Sequence, residues 1–212
     1  MEYFLKLIGN YKEFYNDEFT SQKSSYQEMA QGQSPKVMVI GCCDSRVSLD
    51  RILRIDPGEV FVVRNVANLV PPFEKSGRYH GTSAAIEFGI KHLKVRHIAI
   101  MGHSQCGGVK ACIEASQTDK KQDETLFIGS WVSMIAAAMK RIKDQCNTLS
   151  HEEIQFQTEL EAIKQSIANL HNFPFVKAAM KEKSLYIHGL HFDIGTGQLR
   201  RLDNDLEQFD LI

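Results

Sequence analysis

The sequence has no excess of either charge. Its 212 residues include 25 Lys and Arg and 26 Asp and Glu, which leaves a formal net charge of -1 at pH 7. Proteins that hold nucleic acid through its phosphate charge usually carry a basic excess. We therefore expect no nucleic acid partner.

Long apolar runs are also absent. No stretch approaches the roughly 18 consecutive apolar residues of a membrane-spanning helix. Residues 1–4 lack the basic start and the apolar core of a signal peptide. We expect a cytoplasmic protein that does not associate with membranes.

Cysteine is sparse. Five cysteines are too few, and odd in number, for a secreted disulfide scaffold. A reducing compartment, in which some thiols bind a metal, fits this count better. Cys112 and Cys146 lie in helix-like stretches away from any metal-ligand spacing, and we expect both to be buried or half-buried thiols.

The chain is long enough, at 43% hydrophobic residues, to bury one substantial core. We expect one domain overall, made of an N-terminal helical arm over residues 1–34 and an α/β domain over residues 35–212. In residues 3–15, aromatic and aliphatic side chains recur at spacings of three and four, which predicts an amphipathic helix. We expect this helix to pack on the domain or on a second subunit, because a membrane-surface helix would carry more Lys and Arg.

The order of elements predicts an α/β fold with a mostly parallel central sheet flanked by helices. Strands are predicted near residues 36–41, 60–63 and 96–102, and a helix over 82–93 implies a right-handed crossover between the last two. Thr82 or Ser83 is expected to cap that helix. Further helices are predicted over 109–115, 124–143, 151–171 and 174–180, with a charged linker at 117–123, a capping box at Ser150 and Glu153, and final strands over 184–190 and 198–202.

Metal-type residues follow the first predicted strand. The apolar run ends at Gly41, and Cys42, Asp44 and Arg46 then occupy alternate positions. In an extended segment, alternate residues share one side, so these three side chains can converge. Alternation with Asp44 favours Cys42 over the adjacent Cys43 as a ligand but does not decide between them.

A second apolar run ends in the same way. Gly102 closes the run, and His103 and Cys106 follow. The carboxyl ends of parallel strands meet at one edge of a sheet, where open α/β sheets bind ligands. Two thiolates and an imidazole provide three of the four ligands of tetrahedral zinc, which is typical of a catalytic rather than a structural site.

These motifs carry a family resemblance. The first motif, Cys42-x-Asp44-Ser45-Arg46, and the second, residues 102–108 with His103 and Cys106, resemble those of the β-class carbonic anhydrases. The likeness continues through residues 57–59, 64–68 and 173–176, and spans roughly residues 30–200. It implies that Cys42 rather than Cys43 is the ligand.

The resemblance implies a carbonate dehydratase with one Zn²⁺ per subunit, held by Cys42, His103 and Cys106. The reaction would be reversible hydration of carbon dioxide to bicarbonate and a proton by zinc-bound hydroxide. Two thiolates cancel the charge of the zinc ion, so loss of a proton from its water needs additional help. We expect Asp44 to accept a hydrogen bond from that water while Arg46 fixes Asp44 and keeps it ionised.

The resemblance also implies a substrate pocket and an assembly. Its matching pocket positions are Gln33, Phe61, Val66, Phe88 and Gly107. Gln33 would hydrogen-bond a substrate oxygen, whereas Phe61 and Val66, considered as residues alone, could equally be core positions. In the family, two subunits build each active site together, so we expect a homodimer or a tetramer.

Some members of the family carry a regulatory triad of Trp, Arg and Tyr that binds bicarbonate. Its binding is linked to a swing in which the aspartate leaves the arginine and occupies the fourth zinc position. We match the triad positions to Val39, Arg64 and Phe88, so only the arginine is present. The sequence therefore predicts that Asp44 stays paired with Arg46.

Two other functions remain open from the sequence. The same scaffold could hydrolyse carbonyl sulfide or carbon disulfide, which are also linear and apolar. The chain could instead be a non-catalytic zinc or redox-sensing module that uses the vicinal Cys42 and Cys43. The other histidines lack ligand spacing, and we expect them at the surface or satisfied in the core: His80, His92, His97, His151, His171, His188 and His191.

Overall fold

The computed structural model describes residues 1–76, 79–116, 125–145, 148–203, 205 and 207–212. These residues form two compact units, Met1–Ser34 and Pro35–Ile212. The linker predicted at 117–123 and the thiol of Cys146 lie outside the described residues.

The first unit is helical. Helix α1 spans Glu2–Phe14, a π-helical turn covers Tyr15–Phe19, and α2 spans Lys23–Met29. Helix α1 has no buried residue, and its apolar side chains are largely exposed, as for Tyr3 (86%) and Leu7 (62%). The predicted N-terminal helix is therefore confirmed, and an apolar face is left uncovered along it.

The second unit contains a six-stranded sheet. Its strands are β1 (Val37–Cys42), β2 (Val60–Asn65), β3 (His97–His103), β4 (Tyr186–Phe192), β5 (Leu199–Asp203) and β6 (Gln208–Leu211). Their order in the sheet is β2-β1-β3-β4-β5-β6. The first four are parallel, whereas β5 and β6 pair antiparallel. The predicted α/β fold is confirmed, and β6 is an edge strand that the sequence reading missed.

Seven helices of this unit are described. They are α3 (Leu49–Leu53), α4 (Gly81–Lys91), α5 (Gly107–Ala115), α6 (Ile128–Val132), α7 (Ala136–Gln145), α8 (His151–Leu170) and α9 (Pro174–Lys181). A 3₁₀ turn at Ser133–Ile135 separates α6 from α7, where one helix had been predicted. None of the helices in the described ranges is both long and apolar enough to cross a membrane.

One predicted helix cap is confirmed and one is wrong. Ser150 and Glu153 form the full capping box of α8. Helix α4 instead begins at Gly81 after His80, with no side-chain cap. Because it begins early, Thr82 lies inside the first turn, and its hydroxyl contacts the Asn65 side-chain amide at 3.3 Å.

Alternation along the strands divides the core between the two faces of the sheet. Met38 and Ile40 pack with residues of β3, α4 and α8 on one face. Val39 packs with Val47 and Met101 on the other. Since β1 and β3 are parallel neighbours in this buried arrangement, their carboxyl ends reach the same edge of the sheet.

Candidate metal centre

Three metal-type side chains lie together at that edge. Cys42 is the last residue of β1, His103 the last residue of β3, and Cys106 immediately precedes α5. The pairing of Gly41 with Met101 places the two strand ends side by side. All three side chains are buried. The convergence predicted from the two motifs is present.

The distances in this cluster fit a tetrahedral metal. The donor atoms of Cys42, His103 and Cys106 all lie within 4.8 Å of one another, and the two sulfurs are 4.0 Å apart. With zinc–sulfur bonds of about 2.3 Å and tetrahedral angles, two ligand sulfurs would be about 3.8 Å apart. A disulfide would require about 2.05 Å. The spacing therefore suits two thiolates on one metal ion.

His103 is oriented to be a ligand. Its Nδ1 lies 2.9 Å from the carbonyl oxygen of Ser104 and donates to it, which leaves the lone pair on Nε2. That Nε2 is buried without a hydrogen-bond partner among the described residues. Buried polar atoms are rarely left unpaired, and a metal ion would satisfy this one. A carbonyl that fixes the far nitrogen is a common support for a metal-ligating histidine.

The adjacent cysteines have different environments. Cys42 is 5% exposed and faces Cys106. Cys43 is exposed, and its backbone N–H continues the pairing of β1 with β2 by donating to the carbonyl of Asn65 at 2.9 Å. The geometry therefore brings Cys42, and not Cys43, to the cluster.

The two buried sulfurs, 4.0 Å apart, lie within hydrogen-bond distance of each other. Hydrogen bonding with Cys106 lowers the pKa of Cys42, and the same bond raises the pKa of Cys106. Backbone N–H groups of Val109 and Gly108, at the start of α5, act in the opposite direction on the pKa of Cys106. This is the usual effect of a helix N-terminus on a thiolate.

Asp44 and Arg46 form a bidentate pair beside the cluster. Arg46 donates from Nε to Asp44 Oδ1 at 2.9 Å and from Nη2 to Oδ2 at 2.6 Å. These bonds hold the pKa of Asp44 well below its usual range. Asp44 Oδ2 lies 3.8 Å from Nε2 of His103. An ionised, oriented carboxylate therefore lies next to the candidate ligand atoms.

Arg64 has a role that the sequence reading missed. Its Nε donates to the carbonyl of Cys42, and its Nη2 donates to the carbonyls of Asp44 and Val47, each at 2.8 Å. Arg64 lies opposite Gly41 on the neighbouring strand. It therefore holds the backbone of the loop that carries Cys42 and Asp44.

Glu159 is a second group that the sequence reading missed. It lies on α8, is 3% exposed, and accepts the backbone N–H of Cys106 at Oε1 at 3.0 Å. His191 Nε2 lies 3.1 Å from the other oxygen. The only local clue is that Glu159 falls on the apolar face of α8, between Thr158 and Leu160, where a carboxylate needs a partner.

The expected pocket residues lie in different parts of the fold. Val66 packs in the cluster that contains Cys42 and Cys106, and its carbonyl accepts the Trp131 indole N–H at 2.8 Å. Gly107 opens α5 directly after Cys106. These two flank the candidate ligands.

Phe61 and Phe88 contact each other, with ring centroids 5.9 Å apart. Phe61 packs against the core cluster that contains Met38. Gln33 belongs to the first unit.

The expected grouping of Phe88 with Val39 and Arg64 is wrong. Phe88 packs with Phe61, which lies opposite Met38. Val39 follows Met38 on β1, and Arg64 lies opposite Gly41, two residues after Val39. Val39 and Arg64 are therefore both on the other face of the sheet. The aromatic side chain that packs in the cluster with Val39 is Phe192. Residue spacing could not show this, because it depends on which helix covers which face.

Comparison with known proteins gives consistent matches. A family model described as carbonic anhydrase matches residues 37–199. Beta carbonic anhydrase 3 of Arabidopsis thaliana is 37% identical over 200 residues, which cover 93% of this chain and 77% of that protein.

Solved structures agree in fold over nearly the whole chain. The β-carbonic anhydrase CcaA superposes with a TM-score of 0.90 at 26% identity, over 99% of this chain and 100% of that one. A structure from work on two tetrameric β-carbonic anhydrases of the ascomycete Sordaria macrospora gives 0.84 at 28% identity, over 95% and 98%. The β-carbonic anhydrase CafA of Aspergillus fumigatus gives 0.82 at 31% identity, over 94% and 90%.

Proposed function

Since the chain belongs to the β-class carbonic anhydrases, which are carbonate dehydratases, we propose that it hydrates carbon dioxide reversibly at zinc held by Cys42, His103 and Cys106. The observation that carries this proposal is the cluster of three donor atoms within 4.8 Å beside a carboxylate that Arg46 holds at both oxygens. Within the described part of the chain, no fourth Cys or His joins the group.

Each residue of the site has a defined task in this proposal. Zinc at this site would supply a Lewis acid that lowers the pKa of a water molecule. Because two thiolates would offset the charge of that ion, Asp44 would assist by accepting a hydrogen bond from the water. Arg46 keeps Asp44 ionised and oriented, and Arg64 holds the loop that carries both Asp44 and Cys42.

The substrate is small and uncharged, so the pocket must offer apolar contact beside the reacting water. Val66 and Gly107 flank the candidate ligands within one chain. We assign Phe61, Phe88 and Gln33 to the same pocket through a neighbouring subunit. Phe88, 43% exposed, and Val62, 38% exposed on the edge strand β2, are apolar and available for such contact.

Self-association is part of the proposal. The aromatic face of α1 is exposed. In this proposal residues 1–34 form an arm that packs this face against another subunit. The Sordaria relatives are described as tetrameric. We expect a dimer or tetramer in sedimentation experiments at micromolar protein, and an active monomer there would contradict it.

The proposal is tested with zinc-loaded and chelator-stripped protein. Stopped-flow measurement should show carbon dioxide hydration that depends on about one zinc per chain. Carbonyl sulfide and carbon disulfide serve as alternative substrates in the same assay. A zinc-loaded protein no faster than buffer with carbon dioxide would overturn the proposal.

Adjacent cysteines provide a matched pair of variants. Cys42→Ser should abolish stoichiometric zinc binding, whereas Cys43→Ser should leave zinc content and activity unchanged, because Cys43 is exposed and outside the cluster. Equal loss in both variants would instead favour the vicinal-thiol module. Because both ligand sulfurs must stay reduced, we also propose a reducing compartment such as the cytoplasm.

A further inference from the structure

The peptide unit between Gln105 and Cys106 is held from both sides. Its carbonyl oxygen, on Gln105, accepts Arg46 Nη2 at 2.9 Å. Its N–H, on Cys106, donates to Glu159 Oε1 at 3.0 Å. A peptide unit is planar and rigid, so this one connects the Asp44–Arg46 pair to Cys106, a candidate metal ligand, without a flexible bond between its carbonyl and its N–H.

This peptide follows a residue in an unfavourable conformation. Gln105 has a φ of 55°, in the left-handed region that residues other than glycine seldom adopt. Such a conformation persists when surrounding contacts determine it. The hydrogen bonds from Arg46 and to Glu159 are the contacts that fix the peptide after Gln105.

Glu159 has an unusual environment for a carboxylate. It is buried on the apolar face of α8, where Gln155 Nε2 donates to Oε1 at 3.1 Å and His191 lies against Oε2. Among the described residues, no Lys or Arg forms an ion pair with it. Apolar side chains at such positions often give equal or greater stability, so the bond to Cys106 is the distinctive contribution of Glu159.

We propose that Glu159 is a positioning residue for the metal centre. By accepting the Cys106 N–H, it sets the orientation of the Gln105–Cys106 peptide before a metal binds. That orientation keeps the Cys106 sulfur 4.0 Å from that of Cys42, and keeps Arg46 on the carbonyl of Gln105. This inference rests on the proposed zinc site and adds a residue to it.

The decisive comparison uses three single variants. Glu159→Met is close in size but cannot accept the Cys106 N–H, whereas Glu159→Gln retains a side-chain oxygen that can. Gln155→Met removes a donor to the same oxygen of Glu159 but leaves the bond to Cys106. Zinc affinity is measured by chelator competition, and the thiolate-to-cobalt absorption band is measured in cobalt-substituted protein.

We expect Glu159→Met to weaken zinc binding by about 10- to 100-fold, as loss of a group that orients a ligand does elsewhere, and to shift the cobalt band. Glu159→Gln should restore most of the affinity and the wild-type band. Gln155→Met should keep both, even where it lowers thermal stability. Equal affinities in folded Glu159→Met and wild type, or no rescue by Glu159→Gln, would overturn the inference.

Wild-type protein gives a second measurement if Glu159→Met does not fold. In zinc-free protein selectively labelled with ¹⁵N-cysteine, the Cys106 amide should exchange slowly because Glu159 already holds it. Rapid exchange that becomes slow only with zinc would show that the metal orders the loop, which overturns the inference. A wild-type protein that binds no zinc would overturn the proposed function. Rapid exchange of the Cys106 amide in a protein that does bind zinc would overturn only this inference, so the two failures are distinguishable.

Discussion

Arg46 donates to both carboxylate oxygens of Asp44, and its own backbone N–H donates to Oδ1 as well, at 2.9 Å. Three bonds therefore fix the carboxylate 3.8 Å from His103 Nε2. The guanidinium also holds the carbonyl of Gln105. The pair is thus an anchored part of the centre and differs from a mobile surface ion pair.

Asp44→Asn should reduce kcat/KM for carbon dioxide hydration by about 10²- to 10⁴-fold, the usual effect of removing a side chain that assists proton transfer. Zinc content should be unchanged, because Asp44 is not one of the three donors. Glu87→Gln is the control, since it breaks an equally short but exposed pair with Lys91. Full activity in Asp44→Asn would show that the carboxylate does not assist the reaction.

Gly108→Ala should destabilise the protein by about 1–3 kcal/mol, the usual cost of overpacking. An added Cβ would lie 2.7 Å from Val66 Cγ1 and 3.0 Å from Ala67 Cβ. Ala67 already has a φ of 62°, in the left-handed region, so its backbone cannot easily move away from the added Cβ. The free energy of unfolding at fixed protein concentration measures the effect.

The neighbouring glycine is the control for this prediction. A Cβ on Gly107 would meet nothing within 4 Å, so Gly107→Ala should change stability by no more than about 0.5 kcal/mol. Equal losses in the two variants would indicate a backbone effect at the start of α5 rather than a clash with Val66.

The sequence predicts those parts of the site that lie within a few residues of one another. Cys42, Asp44 and Arg46 share one extended segment, and Cys106 follows His103 at a strand end, so local periodicity identifies them. Glu159 is 53 residues from Cys106, and its place on the apolar face of α8 indicates that it needs a partner but not that the partner is Cys106. The family resemblance matched Phe88 to the same triad as Val39, and the sequence could not correct this match, because the face of the sheet that a helix covers is a tertiary property.

The fold shows the same division. The strands predicted to end at Gly41 and Gly102 have strong apolar runs, and both are present as β1 and β3, each ending one residue later than predicted. Strand β6 has only four residues, two of them polar, and it forms because β5 offers an open edge. The helix predicted over 124–143 is interrupted by a 3₁₀ turn at Ser133–Ile135, which the local sequence pattern did not indicate.

His188 should make the protein less stable as the pH falls below neutrality. Burial, together with the nearby charges of His97 and Arg201, lowers the pKa of His188. In the unfolded chain it takes up a proton near its usual pKa of about 6.5, so the unfolded state binds more protons between that value and the lowered one. Stability is therefore highest above that window, falls within it, and does not change further through this group below it.

His188→Gln should reduce this loss, because the side chain no longer titrates. Urea unfolding at several pH values between 5 and 8, at one protein concentration, measures the difference from wild type. His80→Gln changes an exposed histidine and is the control. Identical pH profiles for wild type and His188→Gln would show that His188 does not contribute to the acid sensitivity.

Added bicarbonate should inhibit the enzyme gradually and without cooperativity. Val39 offers no indole N–H, and Phe192, the aromatic residue packed near it, offers no hydroxyl. Loss of two neutral hydrogen bonds, each about 0.5–1.5 kcal/mol, weakens a regulatory anion site by roughly tenfold to a hundredfold. In addition, Nε and Nη2 of Arg64 already donate to three backbone carbonyls, so they are not free to bind an anion. The dependence of initial rates on bicarbonate concentration should therefore be hyperbolic, because Asp44 stays paired with Arg46. Sigmoidal inhibition would contradict this account.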